Sequence, residues 1–125
     1  MAKKAKQITF TINCDIWDAD VLVRCGGTSK AFEKLFDSRL PFQDPTDWGS
    51  TEFLDPGGLT YMHSDFAGAG IWFRDIKPFA HVVAHESVHA AMHILQKRGV
   101  PIGEISEVLP WLVDYLVRQI GRRVW

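Results

Sequence analysis

The sequence predicts an α+β domain with elements in the order ββαββαα. Three observations predict it. Residues 7–13 alternate apolar Ile8, Phe10 and Ile12 with polar Thr9, Thr11 and Asn13, the period of a half-buried strand. Two later stretches, the first from Asp75 and the second from Ser106, carry apolar residues three and four apart, the period of an amphipathic helix. Clusters of glycine and proline punctuate the chain between these runs. At 125 residues the chain reads as one domain, 1–125, with no repeat or low-complexity run.

In chain order, strand 7–13 is followed by turn-type residues from Asp15 to Asp20 and by a second strand, Val21 to Cys25, ended by Gly26-Gly27. The two form a hairpin. Thr28 or Ser29 caps a helix whose apolar positions are Ala31, Phe32, Leu35, Phe36 and Leu40, and Pro41 stops it. Residues 41–58, rich in proline, glycine and aspartate, read as a long surface loop. Leu59 to His63 and Gly70 to Arg74 read as strands around Ser64 to Ala69. Asp75 then caps a helix with Pro78 in its first turn, running to Lys97 or Arg98 and closed by Gly99. The last helix runs from Ser106 to Arg123 on Val108, Leu112, Tyr115, Leu116 and Ile120.

Composition narrows the function classes. The formal net charge is -1, so no global charge attracts nucleic acid or an anionic membrane. Apolar runs are only a few residues long, too short to cross a bilayer, and the basic start Met1 to Gln7 leads into a strand pattern rather than a signal-peptide core. The expectation is a cytoplasmic protein. Cys14 and Cys25 are too few for a disulfide scaffold and lack metal-ligand spacing, so they read as free, partly buried thiols.

The segment Ala84-His85-Glu86-Ser87-Val88-His89-Ala90 carries the chemistry. On a helix, residues four apart share a face, so His85 and His89 can both bind one zinc ion. Glu86 stands about 100° round from His85 and is placed to act on a water as general base rather than to join the ligand pair. A catalytic zinc takes three protein ligands and keeps one position open. The next helix offers Glu107, with Glu104 in reserve, while Asp114 reads either as a carboxylate that orients a liganding histidine or as a solvated helix residue.

His85-Glu86-Ser87-Val88-His89 followed by Glu107-Val108-Leu109-Pro110-Trp111-Leu112 resembles the gluzincin clan of zinc metallopeptidases, in which a glutamate on the following helix completes the site. The wording Val-Ala-His-Glu-Ser-Val-His-Ala-Ala is similar to short metallopeptidase-like proteins of bacteriophages and prophages. The resemblance covers about residues 59–120. It implies a minimal zincin-like domain, a small sheet packed on the motif helix and the C-terminal helix. It also implies Zn(2+) held by His85, His89 and Glu107, with Glu86 as catalytic base on a peptide or protein substrate. Gly70 to Arg74 matches the strand that cradles substrate. Pro110 departs from the pattern and weakens the helix around Glu107.

The remaining signals are weaker. His81 and His93 extend the row of histidines, but they stand about 18 Å apart along the axis and cannot share one ion; they read as polar or hydrogen-bonded helix residues. Tyr61, His63, Arg74 and Tyr115 are the candidates for stabilising an oxyanion. Trp17, Trp48, Trp72, Trp111 and Trp125 read first as core. Arg118, Arg122 and Arg123 make a small basic helix end. Two further readings stand beside the peptidase: a non-catalytic phage-type interaction protein with a structural or residual zinc site, and a hydrolase of non-peptide amides.

Overall fold

The computed structural model describes residues 6–41, 48–50 and 57–125. It is an α+β structure whose sheet carries helices on both faces. The elements are β1 (Ile8–Cys14), β2 (Ala19–Cys25), α1 (Ser29–Arg39), β3 (Trp48–Ser50), β4 (Gly58–His63), β5 (Phe66–Phe73), α2 (Ala80–Lys97) and α3 (Ile102–Val124). The expected order ββαββαα is present, with one short strand added: β3 lies inside the stretch read as loop. The rest of that stretch, 42–47 and 51–56, lies outside the described residues.

The sheet order is β1-β2-β5-β4-β3. β1 pairs antiparallel with β2, and β4 with β5, as the two hairpins require; β2 and β5 run parallel at the centre. Alternation along the central strands sorts the core into two layers. Val21, Val23, Ile71 and Phe73 face α2 and α3, and join Val83, Ala90, Ile94, Leu112 and Leu116. Leu22 and Trp72 face α1 and join Phe32, Phe36, Leu59 and Tyr61. Trp72 is thus buried as expected, and its indole Nε1 donates to Gly26 O at 3.0 Å.

Element ends differ from the sequence reading where proline acts. α2 begins at Ala80, not Asp75, because Pro78 pushes the residue before it out of helical geometry. The first turn is closed instead by Phe79 O, which accepts from Val82 N and Val83 N. α3 begins at Ile102, a turn before Ser106: Pro101 O accepts from Glu104 N and Ile105 N, and Ile105 extends the buried stripe backwards. Pro110 stands inside α3 on its exposed face, where it removes one helical bond without stopping the helix. Thr28 caps α1, its Oγ1 accepting from Ala31 N at 3.2 Å.

Arg98 at the end of α2 ties the helix to the 3-10 turn Asp15–Trp17 between β1 and β2, donating from Nε to Trp17 O at 2.7 Å and from Nη2 to Asp18 O. Among the described residues no helix is long and apolar enough to cross a membrane.

Gly70 lets α1 approach the sheet, whereas Gly103 faces open space. A Cβ on Gly70 would stand 2.8 Å from Phe36 Cδ2 and 3.1 Å from Phe32. A Cβ on Gly103 would meet nothing within 4 Å. Gly70→Val is therefore expected to destabilise by about 1–3 kcal/mol through overpacking. Gly103→Ala is expected to be neutral or stabilising by up to about 1 kcal/mol. Urea titration of the two variants beside the wild type checks both.

Candidate metal centre

α2 presents three faces, set by which residues the sheet takes in. Val82, Val83, Glu86, Ser87, Ala90 and Ile94 are buried. With Glu86 turned inward, His85 and His89 fall about 100° and 60° round the helix on one side of it, which brings both to the surface. His85 is exposed and His89 half-buried. Their Nε2 atoms lie 3.2 Å apart, with ring centroids at 4.8 Å and rings inclined at 70°. Two nitrogens at about 2.0–2.1 Å from one tetrahedral zinc stand about 3.3 Å apart. The pair therefore already has the spacing of two ligands to one ion.

Glu86 is fully buried at 0% exposure. Thr60 on β4 donates its hydroxyl to Glu86 Oε1 at 2.7 Å, and Thr60 Oγ1 stands 3.2 Å from Glu86 O. Gly58, two strand residues away on the same face, makes room for this: a Cβ there would lie 3.0 Å from Glu86 Cγ and 3.2 Å from Val82 Cγ1. Thr60 is the residue that sequence reasoning missed. The signal for it was weak but present, a hydroxyl in the strand before the motif with its face set by Gly58.

Glu107 does not stand beside the histidine pair. It is exposed on α3 and lines a groove with Cys14, Asp15, Ile16 and Trp17 at the β1–β2 turn. The helical period explains this: Glu107 lies about 180° round from Leu116 and about 140° from Leu112, both of which are core. Glu104 is exposed in the first turn of α3, and Asp114 makes an exposed ion pair with Arg118 at 3.1 Å. Among the described residues no three His, Cys, Asp or Glu side chains are grouped to hold a metal. The donor set assembled here is the two histidines.

The oxyanion candidates are scattered. Tyr61 is buried on the α1 face with its hydroxyl 3.4 Å from Ser29 O. Tyr115 donates to Asn13 O at 2.7 Å. Arg74 pairs with Asp75 at the surface, and His63 is buried with Nδ1 accepting from Asp65 N. The strand matched to a substrate cradle, Gly70 to Arg74, lies in and just beyond β5, which pairs with β2 on one side and β4 on the other. Its backbone has no open edge to offer a substrate. His81 is exposed and stacks on Phe79. Cys14 and Cys25 are free and buried, both thiols pushed up to about 11, chiefly by burial.

No family model, curated protein or solved structure matches the chain.

His93 is the member of the histidine row that bonds to the backbone of another element. It is buried, and its Nε2 lies 2.6 Å from Phe66 O at the β4–β5 turn. Burial holds its pKa below the ordinary value, with Lys97 and His63 adding to the effect and the Phe66 bond opposing it. The unfolded chain thus binds a proton at this residue that the folded chain refuses, and stability falls as pH drops below about 6.5. Between about pH 7.5 and pH 5 the wild type is expected to lose more unfolding free energy than His93→Gln, which keeps a donor but does not titrate. Parallel urea titrations at the two pH values measure the difference.

Proposed function

We propose that the chain is a small zinc-dependent hydrolase of gluzincin type that cleaves peptide bonds, with His85 and His89 holding the metal and Glu86 as general base. The observation that carries this reading is the 3.2 Å separation of the two Nε2 atoms one residue from a glutamate fixed by Thr60. The imidazole pair fits zinc in donor type and spacing. A zinc ion held there would supply Lewis acidity, polarising a carbonyl and making a water easier to deprotonate. Thr60 anchors Oε1 of Glu86, and the carboxylate so held is the group that would take a proton from the attacking water and pass it to the leaving amine.

The gluzincin resemblance makes Glu107 the third donor. A second reading, a non-catalytic interaction protein with a structural or residual zinc site, is favoured by the full burial of Glu86 and by the position of Glu107 away from the pair.

Zinc analysis of purified protein is expected to give about one ion per chain, and His85→Ala to lose it. Glu86→Gln is expected to keep zinc and lose hydrolysis of a peptide library. Wild-type protein that carries no zinc and folds as well with His85→Ala sinks the hydrolase. Glu107→Ala is expected to weaken zinc binding by more than about 100-fold if Glu107 is a ligand. An unchanged affinity leaves Glu107 at the groove where the structure holds it.

Thr60→Val tests the anchor. It removes a hydrogen bond to a buried carboxylate and is expected to destabilise by about 1.5–3 kcal/mol, read from urea unfolding.

A further inference from the structure

A groove of about 640 Å³ lies between the β1–β2 turn and the outward side of α3. Ile16, Trp17, Val108, Trp111 and Leu112 give it an apolar floor and walls. Ile16 is 91% exposed and Trp111 78% exposed, so two large apolar side chains stand in solvent at one groove. Isolated exposed apolar residues need no explanation, but residues from two separate elements converging on one concavity do.

The groove is built rigidly. Arg98 holds the turn through two backbone carbonyls, and the Tyr115 hydroxyl holds Asn13 O. The backbone of the turn is thereby held against α2 and α3, which lowers the ordering cost of binding. Neither His85 nor His89 lines it.

Charge tells what it accepts. The charged residues of its lining are Asp15 and Glu107, both acidic; Asp18 at the same turn is exposed and pairs with Arg98 at 3.8 Å. Burial first, then Asp20 and Asp15, push the Cys14 thiol up, and burial, then Cys14 and Asp15, push the Tyr115 hydroxyl up, with Arg122 opposing. Two copies of this face brought together about a two-fold axis would oppose carboxylate to carboxylate, which disfavours self-association through it.

We propose that this groove is a docking site for a partner segment carrying large apolar anchors flanked by lysine or arginine, a basic amphipathic segment of another protein. The apolar anchors fill the space beside Trp111 and Ile16, and the basic flanks meet Asp15 and Glu107. Trp111 is the anchor point on this side, since large aromatic residues in desolvated pockets carry most of the energy of such contacts.

The test uses the full chain and two short amphipathic peptides, one of leucine and lysine and one of leucine and glutamate in the same pattern. Fluorescence anisotropy is expected to show saturable binding of the lysine peptide, and binding about tenfold or more weaker for the glutamate peptide. Amide chemical shifts are expected to move at Cys14–Trp17 and Val108–Tyr115. Trp111→Ala is expected to weaken binding about tenfold or more, and Asp15→Asn to weaken it and flatten its salt dependence. Phe79→Ala, an exposed apolar residue elsewhere, is expected to change nothing. Trp111 and Asp15 lie at the surface, so circular dichroism will confirm that both variants fold. Equal binding of the two peptides, no saturable binding, or binding that survives Trp111→Ala overturns the proposal. So does a dimer in sedimentation that Trp111→Ala dissociates, because a second copy then covers the groove. His85 and His89 lie outside the groove, so zinc content, measured separately, distinguishes failure of this proposal from failure of the metal reading.

Discussion

A carboxylate removed from water must be held by the chain around it, and the placing of Glu86 against β4 sets the geometry of everything on α2. Thr60 supplies a hydroxyl at 2.7 Å and Gly58 supplies the space. Leaving such a group without its donor costs about 1–3 kcal/mol or more, so the rotation of α2 about its axis is strongly constrained. Once Glu86 faces the sheet, Val82, Val83, Ala90 and Ile94 follow it into the core by helical period. His85 and His89 are then forced to the surface side by side. The packing of α2 puts the two rings on one face, where they meet edge to face with their Nε2 atoms 3.2 Å apart.

The same logic fixes α3 in the opposite sense. Ile105, Leu112, Leu116 and Ile120 are all buried, and they define one stripe. Glu107, Trp111 and Tyr115 are four apart and form the stripe on the far side. The core of the domain therefore turns Glu107 away from the histidines and lines it up with the groove. The residue that resemblance assigns to the metal is the residue that amphipathicity assigns to the surface.

Much of the fold was legible in the sequence because the relevant signals are local. The alternation of Ile8, Phe10 and Ile12, the Thr28 cap and the glycine stops each act within a few residues, and each element they mark is present. What was not legible is what depends on contacts distant in sequence. The parallel pairing of β2 with β5 joins residues about 48 apart and buries both edges of the strand read as a substrate cradle. The start of α2 was misplaced because Pro78 suits a first turn and also disfavours helix before it, and only packing decides which effect wins. Of the site, the His85 and His89 pair was legible because i and i+4 are fixed by the helix itself. The hold of Thr60 on Glu86 spans 26 residues, and no local rule reports it.

The two readings of Glu107 differ in what each asks of the helix. Turning α3 as a rigid body far enough to carry Glu107 across would take Leu112, Leu116 and Ile120 out of the core. Each such side chain is worth about 1.5–3 kcal/mol of burial. A complete structural zinc site contributes about 10–16 kcal/mol in all, shared among its ligands, so one added donor does not offset that loss. A smaller movement costs far less. Pro110 lacks the N–H that would tie it to Ser106, and the two turns before it bury only Ile105 fully among residues 103–109. Re-forming those turns forfeits one core side chain instead of three. The departure that weakens the gluzincin pattern in the sequence is thus also the point at which the helix yields most cheaply, and any route by which Glu107 reaches the histidine pair passes through the segment ahead of Pro110.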